Sequence, residues 1–290
     1  MQTTAALTSY SPPKQQLLKW IGNKQKFAGI ITRHFPANFN TYYEPFLGSG
    51  AILGTVAPSF GIASDTFAPL IDIFRTLKED PEKLIEWYRE RRDQLEYESK
   101  EVVYDRVRKK YNNNPNPADF LYLSRACYGG VIRFRKTDGY MSTPCGAHTP
   151  IPVDAFESRV NNWHQRVSNT IFMHCDYTHA FQLAQPGDLI YCDPPYSFSQ
   201  SILYGAQDFN LMDLLESIAE AKANGVYVAL SIDGNKKSGS FICDLPIPED
   251  LFETEILVDL GISMLRRFQM EGSKVENEDV ADRLLLTYTP

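Results

Sequence analysis

The amino-acid sequence predicts an α/β fold in which one sheet is interrupted by a mainly helical insertion. Two short β-type runs, at residues 40–46 and 60–64, each lead through a turn into a helical pattern. Three further runs, at 170–174, 188–192 and 226–232, are short and apolar, which is typical of strands covered on both faces. Strand–helix alternation on both sides of a helical stretch indicates a sheet with helices on its faces, interrupted by a second domain.

Residues 66–168 have the helical texture of this insertion. Apolar residues recur there near helical spacing, with charged residues between them, at Leu77, Leu84, Ile85, Tyr88 and Leu95. Two prolines and repeated asparagines at residues 112–117 break the pattern, and a further helix is predicted over 118–126. We therefore predict one domain from residues 1–65 and 169–290, and an inserted domain from residues 66–168.

A β-hairpin is predicted near the end of the insertion. Residues 131–134 and 140–143 flank Asp138-Gly139, a dipeptide that is typical of tight hairpin turns. Because side chains alternate along a strand, Arg133 and Arg135 are predicted to share one face of this hairpin.

The composition excludes several classes of protein. Of the 290 residues, 43% are hydrophobic and 22% are charged, which is ordinary for a globular protein. No stretch approaches the ~18 uninterrupted apolar residues of a membrane span, and residues 1–13 lack the features of a secretory signal. Five scattered cysteines without Cys-x-x-Cys spacing argue against structural zinc and a disulfide framework, and favour reduced thiols. We expect a cytoplasmic protein without a metal site.

The net charge of −7 argues, on its face, against a nucleic-acid partner. Phosphate binding, however, depends on where the cations lie and not on their sum. Basic residues cluster at Arg89, Arg91, Arg92, Arg106, Arg108, Lys109, Lys110, Arg125, Arg133, Arg135 and Lys136. Acidic residues collect instead at 79–101 and 271–282. The global charge therefore excludes no partner.

Asp193-Pro194-Pro195-Tyr196 follows the apolar run at 188–192, at the carboxyl end of a predicted strand, where open α/β sheets bind ligands. An adenine N6 amino group is a poor nucleophile because its lone pair is delocalised into the ring. The Asp193 carboxylate and the Pro194 carbonyl are two acceptors for its protons, and they would stabilise the charge that develops on the nitrogen. The prolines stiffen the backbone, and Tyr196 offers a face for stacking a flipped base. A proline-rich turn that caps a strand is the alternative interpretation.

A glycine-rich turn closes the first predicted strand at residues 44–50. Gly48 and Gly50 permit a close approach of the backbone to a ligand, and the N-terminus of a helix follows. A dinucleotide is the rival ligand, but Leu53 stands where Gly-x-Gly-x-x-Gly requires its third glycine. The turn by itself indicates a ligand without naming it.

Four more residues, at strand ends or before the sheet, are candidates for ligand binding that also have a purely structural interpretation. Asp65 ends the second strand, where it would accept hydrogen bonds from a ribose or cap the next helix. Asp176, after the strand at 170–174, is equally a candidate helix cap. Trp20 and Lys24 fit a core tryptophan and a solvated lysine when they are taken alone.

Together these segments resemble the Dam-type (D12 class, alpha group) DNA adenine-N6 methyltransferases, in which cofactor motifs, a target recognition domain and Asp-Pro-Pro-Tyr follow in that order. The resemblance covers nearly the whole chain and is carried by residues 18–24, 43–50, 65 and 193–196. Residues 121–146 also look like the recognition region of that family.

The resemblance implies a Rossmann-like S-adenosylmethionine-dependent methyltransferase sheet with an antiparallel last strand, at residues 283–288, and a target recognition domain in the insertion. It implies N6 methylation of adenine in double-stranded DNA, with base flipping. Catalysis is expected from Asp193, Pro194, Pro195 and Tyr196. S-Adenosylmethionine binding is expected from Trp20, Lys24, Phe46, Gly48, Gly50, Asp65, Asp176 and Asp193.

The chain departs from the family pattern in the recognition region. Residues 124–130 read Ser-Arg-Ala-Cys-Tyr-Gly-Gly where relatives have Asn-Arg-x-Cys-Phe-Asn-Gly, and residues 140–143 replace the common Phe-Asn-x. These departures concern the target sequence and not catalysis. Since arginine and lysine bind phosphates and arginine reads guanine edges, we expect DNA contacts from Arg125, Tyr128, Arg133, Arg135, Lys136 and Tyr140. Packing is the alternative role of the two tyrosines.

Two other functions stay open at this point. Methyltransferases of RNA adenine or protein glutamine use related Pro-Pro-Tyr loops, although they usually lack both the Lys-Trp segment and a helical insertion of this size. A DNA-binding regulator without catalysis is the second, which the intact Asp193 and glycine turn argue against. We expect a monomer, because one flipped base needs one active site, and a cognate restriction endonuclease is a candidate partner.

Overall fold

The computed structural model describes residues 11–195, 209–233, 247–248, 250–259 and 281–290, and the statements below concern these residues. Tyr196, predicted to stack a base, and residues 271–280 of the acidic segment lie outside them.

The described strands form a seven-stranded sheet in the order β3-β2-β1-β4-β5-β7-β6. The strands are β1 (Tyr42–Glu44), β2 (Gly61–Asp65), β3 (Thr170–His174), β4 (Leu189–Cys192), β5 (Tyr227–Asp233), β6 (Thr254–Asp259) and β7 (Ala281–Leu286). Strands β1 to β5 are parallel, and β7 runs antiparallel to both β5 and β6. The α/β class, the Rossmann-like sheet and the antiparallel last strand are therefore confirmed.

The order of the strands reverses between β1 and β4, which are neighbours in the sheet. Tyr42 of β1 is paired with both Gly61 of β2 and Leu189 of β4, so these three strands end at the same edge. Every residue of β1 and β4 is buried, as the apolar sequence of β4 predicts, and the buried set includes Glu44 of β1. In open α/β sheets, ligands bind outside the carboxyl ends of the strands at such a switch point.

Strand β6 was not predicted from the sequence. It lies at an edge of the sheet, where its residues alternate between partly buried and exposed positions, and Leu257 is 68% exposed. An edge strand buries less apolar surface than a central one, so its apolar run is short. The last strand, predicted at 283–288, spans Ala281–Leu286.

Nine α-helices accompany the sheet in the described part of the chain. They are α1 (Ala28–Thr32), α2 (Ala51–Val56), α3 (Ala68–Glu79), α4 (Pro81–Arg92), α5 (Lys100–Asn113), α6 (Pro117–Ala126), α7 (Val153–Val167), α8 (Thr178–Leu183) and α9 (Leu211–Ala223). None of these helices is long and apolar enough to cross a membrane.

Local capping explains where the helices of the insertion begin. Asp80 accepts a hydrogen bond from the Lys83 amide, so the apolar series from Leu77 to Leu95 is divided between α3, α4 and a following 3-10 turn. Asn116 caps α6 through the Asp119 amide. The predicted break at 112–117 is confirmed, since α5 ends at Asn113 and α6 begins at Pro117.

The predicted insertion packs directly against the sheet region. Helix α3 contacts β2 and β3, and helix α7 contacts α2. Phe74 of α3 stacks on Phe172 of β3 with ring centroids 5.4 Å apart, and Trp163 of α7 is 6.5 Å from Phe74. Both regions contribute to one hydrophobic core, and the domain boundary at residues 66–168 stays a prediction.

Candidate active site

A cleft of about 670 Å³ lies at the carboxyl ends of β1, β2 and β4. Its lining comes from the segment before α1, the turn after β1, the ends of β2 and β4, and the starts of α8 and α9. Seven of the eight residues predicted to bind the cofactor line it, namely Trp20, Lys24, Phe46, Gly48, Asp65, Asp176 and Asp193. The sheet topology thus brings together segments that are far apart in the sequence.

Gly50 is the predicted cofactor residue that does not line the cleft. It precedes α2 with φ 66°, in the left-handed region that favours glycine. A Cβ atom at this position would lie 2.9 Å from Cζ of Phe74. Gly50 therefore serves the turn and the packing of α3 against it, and its part in shaping the cofactor pocket stays a prediction.

Gly48 lies at the cleft surface, beneath the Trp20 ring. Its φ is +47°, and a Cβ atom here would lie 3.1 Å from Trp20 Nε1. The missing side chain lets the indole approach the turn after β1. The Gly48 amide donates a hydrogen bond of 3.1 Å to Oδ2 of Asp65, which connects the ends of β1 and β2.

Asp65 closes the turn after β2 and lines the cleft. Its buried carboxylate caps the next turn by accepting a hydrogen bond of 3.0 Å from the Phe67 amide, and it also lines the cleft. Burial raises the pKa of Asp65 to about 6, and the bonds from Gly48, Phe67 and Thr66 act in the opposite direction. Helix α3 begins at Ala68 with Phe67 as its N-cap and no side-chain cap bond, so Asp65 closes a turn and does not cap the helix. The ribose contact stays a prediction.

Lys24 and Asp193 form an ion pair at the end of β4. Nζ of Lys24 is 3.1 Å from Oδ1 of Asp193, and the two side chains are 6% and 20% exposed. The nearly buried lysine orients a carboxylate that still reaches the cleft. Pro194 and Pro195 continue the lining beside it. Lys24 is therefore a buried, ion-paired residue of the cleft and not a solvated surface lysine.

Glu44 ends β1 in the cleft, and sequence reasoning gave it no role. It is 2% exposed, and the Tyr42 hydroxyl donates a hydrogen bond of 2.6 Å to its Oε2. Burial raises the pKa of Glu44 to about 8, and the charge of Asp193 acts in the same direction, against the hydrogen bonds from Tyr42 and Leu53. Glu44 is thus mostly protonated at pH 7. Its position directly after a buried strand was the available signal.

We expect Glu44→Gln to change how stability depends on pH. The folded protein binds a proton at Glu44 between its ordinary pKa of 4.5 and about 8, whereas the unfolded chain releases it. This carboxyl therefore costs stability as pH rises through that window, by up to about 1.4 kcal/mol per pH unit. Urea unfolding from pH 5 to 8 should show that the glutamine variant gains stability relative to the wild type. Glu216→Gln, at an exposed carboxylate of α9, is the matched control. Parallel profiles for wild type and Glu44→Gln would contradict the prediction.

One wall of the cleft is aromatic. Phe46 stacks on Tyr177 with centroids 5.3 Å apart, and Phe209 meets both rings edge-on at 5.8 and 6.2 Å. Such a wall provides apolar surface for a planar ring. Tyr177 and Phe209 were not predicted, because only the packing of α8 and α9 brings them to Phe46.

The polar lining of the cleft is mostly acidic. Asp176 accepts a hydrogen bond of 3.0 Å from the Thr178 amide just before α8, but the N-cap residue of that helix is Tyr177. Asn210 donates a hydrogen bond of 2.8 Å to the Asp213 carboxylate at the start of α9, and both residues line the cleft. Among the acidic and basic residues of the described lining, five carry carboxyl groups and one is a lysine: Glu44, Asp65, Asp176, Asp193, Asp213 and Lys24. The cleft suits a ligand that carries a ring and positive charge.

The predicted hairpin follows α6, at the surface of the insertion. Phe134 and Met141 form an isolated antiparallel bridge, and the Arg135 amide donates 2.9 Å to the Tyr140 carbonyl. The Asn112 side chain of α5 donates a hydrogen bond to the Met141 carbonyl and accepts one from the Met141 amide. These two bonds hold the hairpin against the helices. Continuous strands do not form, but the turn is where Asp138-Gly139 predicted it.

Comparison with known protein families decides the assignment. Residues 20–243 match the family model of the D12 class N6 adenine-specific DNA methyltransferases. The chain belongs to this family. It is an adenine-specific DNA methyltransferase, as the order of its motifs implied.

Individual relatives of this D12-class enzyme agree with the family match. The type II methyltransferase M1.LlaDCHI of Lactococcus lactis subsp. cremoris is 26% identical over 283 residues, 93% of each chain. The retron Ec67 DNA adenine methylase of Escherichia coli is 30% identical over 187 residues, 62% of this chain and 63% of that protein. A DNA adenine methylase of Vibrio cholerae is 27% identical over 230 residues, 75% of this chain and 81% of that protein.

Arg125 of this methyltransferase is not at the surface, contrary to the prediction that it contacts DNA. It is 4% exposed, and its Nη1 donates to the carbonyls of Gln16 and Leu17. Its guanidinium also lies 5.5 Å from the centroid of the Phe156 ring. Burial lowers the pKa of Arg125 to about 10. The residue holds the N-terminal segment in place, so its DNA contact is withdrawn.

The other predicted DNA residues of the enzyme are accessible to different degrees. Tyr128, Arg133, Arg135 and Lys136 are exposed, and Tyr140 is half-buried. Arg135 binds Asp138 through two hydrogen bonds of 3.1 and 2.7 Å, and its guanidinium stacks 4.3 Å from the Tyr140 ring centroid. The hairpin therefore keeps these side chains available, with Arg135 already paired within the turn.

Proposed function

We propose that this methyltransferase transfers a methyl group from S-adenosylmethionine to the N6 amino group of an adenine that is flipped out of double-stranded DNA at a specific sequence. One observation carries the proposal. The Asp193-Pro194-Pro195 segment and the Gly48 turn line a single cleft at the switch point of the sheet. A methyl acceptor and a methyl donor would meet there.

The lining residues fit S-adenosylmethionine. When bound, this cofactor supplies a methyl group on a sulfonium cation. The acidic lining favours that positive charge, and the Phe46–Tyr177 wall offers stacking for a planar ring. The bare Gly48 surface beside Trp20 leaves space that a Cβ atom would fill. We assign Asp65 to the ribose, by analogy with the acidic residue of nucleotide-binding sheets.

Asp193 is proposed to serve the target adenine. Its carboxylate and the Pro194 carbonyl would accept hydrogen bonds from the amino group and stabilise the charge that develops on the nitrogen. Lys24, 3.1 Å away, orients that carboxylate through an ion pair. Holding donor and acceptor in line supplies much of the remaining rate enhancement. Tyr196 retains its predicted stacking role.

Double-stranded DNA is proposed to bind across the hairpin beside the cleft. The exposed Arg133, Lys136 and Tyr128 are the candidates for direct contact. A base inside a duplex cannot reach a cleft at the end of a sheet, so the adenine has to leave the stack.

Arg133 and Arg135 give a matched pair for testing this interface. The Arg133 guanidinium makes no hydrogen bond or ion pair within the described chain, whereas Arg135 is bound to Asp138. We expect Arg133→Gln to weaken DNA binding and to lower the slope of log K against log salt by about 0.9, the value for one phosphate contact. Arg135→Gln should change the slope less. Fluorescence anisotropy at several salt concentrations measures both. If Arg133→Gln binds with the wild-type slope, the phosphate contact lies elsewhere, for example at Lys109 or Lys110.

Mapping of modified adenines in DNA from cells that express the gene is the decisive experiment for the proposed function. We expect N6-methyladenine at one recognition sequence. Purified enzyme should then transfer labelled methyl groups to duplex DNA, and not to RNA or to a glutamine peptide. Methylation of RNA or peptide alone would overturn the proposed substrate. A protein that binds DNA but not S-adenosylmethionine would be a regulator.

We further infer that the enzyme acts as a monomer, because one flipped base needs one active site. It would serve in a restriction–modification pair or in Dam-like methylation; the relatives named above include a type II methyltransferase and a DNA adenine methylase. Sedimentation with a duplex of one site should give a single protein per DNA. A stable dimer on that DNA would overturn the inference.

A further inference from the structure

Two cysteines face each other at the base of the hairpin formed by residues 131–143. Cys127 follows α6, and Cys145 lies in the Pro-Cys-Gly segment beyond the hairpin. They form an isolated antiparallel bridge. Neither residue lines the cleft, so the proposed methyl transfer does not use them.

The hydrogen bonds around the bridge define its type. The Tyr128 amide donates 2.9 Å to the Pro144 carbonyl, and the Gly146 amide donates 2.8 Å to the Ala126 carbonyl. The two bonds flank the cysteine pair and do not join the cysteines themselves, which is the pattern of a non-hydrogen-bonded pair. Such pairs have Cα atoms about 4.5 Å apart and side chains close together on one face.

This spacing matches the requirement of a disulfide. Disulfides join cysteines whose Cα atoms are roughly 4.4–6.8 Å apart. The thiols are free here, with Sγ of Cys127 3.6 Å from the Ser124 carbonyl and Sγ of Cys145 3.6 Å from the Gly146 carbonyl. Rotation of the two side chains would bring the sulfurs together without a shift of the backbone.

We propose that Cys127 and Cys145 are a site of reversible disulfide formation, with a small-molecule disulfide such as oxidised glutathione as the reactant. Cys145 is half-buried and Cys127 is buried, so the more accessible Cys145 reacts first. Its thiolate attacks one sulfur of the reagent, the reagent's S–S bond breaks, and one glutathione thiolate leaves. The Cys127 thiolate then attacks the Cys145 sulfur and expels the second glutathione. The two protons lost by the cysteines are taken up by the two glutathione thiolates.

The environment of the thiols makes this reaction slow at neutral pH. Burial raises the pKa of Cys127 to about 12, and it also raises the pKa of Cys145. Because the thiolate is the attacking species, the rate should rise with pH. Under reducing conditions the bond is expected to be transient, as cytosolic disulfides generally are.

The bond would tie the two ends of the recognition segment. It closes the chain from Cys127 to Cys145 around the hairpin, and Tyr128 and Arg133 lie inside that loop. Restriction of a DNA-contacting segment is the part of this inference that rests on the proposed function. Formation of the bond itself does not depend on it.

Oxidation of the full chain tests the site directly. The protein is incubated with oxidised glutathione at pH 8, alkylated, and examined by intact mass and peptide mapping. We expect two fewer alkyl groups than in the reduced, alkylated protein, and a linked peptide pair that contains Cys127 and Cys145. At roughly millimolar glutathione the internal bond should exceed the mixed disulfide by about tenfold or more, because the partner thiol is intramolecular. Hydrogen exchange at the Tyr128 and Gly146 amides should slow in the oxidised protein.

Cys145→Ser is the informative variant, and Cys175→Ser is its control. Cys175 is also half-buried, and burial also raises its pKa. The Cys145→Ser protein should not form the internal bond, and the Cys175→Ser protein should form it as the wild type does. Should Cys145→Ser fail to fold, the mapping of wild type against Cys175→Ser still decides. A mapped bond between other cysteines would overturn the proposal, as would a mixed disulfide at Cys145 that leaves Cys127 free. Neither readout requires methylation, so failure here is distinguishable from failure of the proposed function.

Discussion

Asp193→Ala is expected to lower the rate of methyl transfer to DNA by on the order of a thousandfold or more, which is the scale of losing one preorganised group that stabilises developing charge. The substitution removes the carboxylate that lies 3.1 Å from Lys24 and faces the cleft. Because that group is proposed to act on the charge that develops on the adenine nitrogen, the loss should fall on kcat in single-turnover experiments with labelled cofactor. The KM for DNA should change little.

Asp193→Asn separates the charge of this group from its shape. Asparagine keeps one oxygen acceptor but not the ion pair with Lys24, so we expect activity between that of the wild type and that of Asp193→Ala. Circular dichroism and thermal unfolding establish that both variants are folded, and calorimetry with S-adenosylmethionine measures cofactor binding separately. A folded Asp193→Ala protein with wild-type turnover would contradict the role of Asp193.

Local sequence signals were sufficient for the residues at the strand ends. Asp193, Gly48 and Asp65 each follow an apolar run, and parallel strands place their carboxyl ends at one edge of a sheet. The three residues meet in one cleft because of that topology. Glu44 also lies at the end of a predicted strand. Nothing in the sequence, however, indicates that its carboxyl group is buried and mostly protonated.

Residues that depend on distant packing could not be found in this way. Phe209 and Asp213 reach the cleft only because α9 packs beside α8, and nothing in their neighbourhood indicates it. Arg125 lies among basic residues that look like a nucleic-acid surface. Its actual partner, Leu17, is 108 residues away in the chain.

An N-terminal strap, residues 11–18, links Arg125 to the cleft. This strap has no regular secondary structure, so its backbone carbonyls need hydrogen-bond donors from elsewhere in the chain. Arg159 of α7 donates a hydrogen bond of 3.0 Å to the Gln16 carbonyl, and Trp163 of the same helix donates one of 2.8 Å to the Gln15 carbonyl. Arg125 adds its bonds to Gln16 and Leu17. The segment that continues from the strap carries Trp20 and Lys24 into the cleft.

We therefore expect Arg125→Met to impair cofactor binding and not DNA binding. Methionine fills a similar volume but leaves the Leu17 carbonyl without its donor and the Gln16 carbonyl with Arg159 alone. The loss is about 1–3 kcal/mol for a buried acceptor left without a donor. The loosened strap would let Trp20 and Lys24 move, and the KM for S-adenosylmethionine should rise by roughly tenfold, equivalent to about 1.4 kcal/mol. The salt dependence of DNA binding should match that of the wild type. Arg133→Gln is the control with the opposite profile, namely weakened DNA binding with unchanged cofactor affinity. The opposite result would be normal cofactor binding by Arg125→Met together with a decrease of about 0.9 in the slope of log K against log salt for DNA binding. Arg125 would then belong to the DNA interface, and the strap would have no part in positioning Trp20 and Lys24.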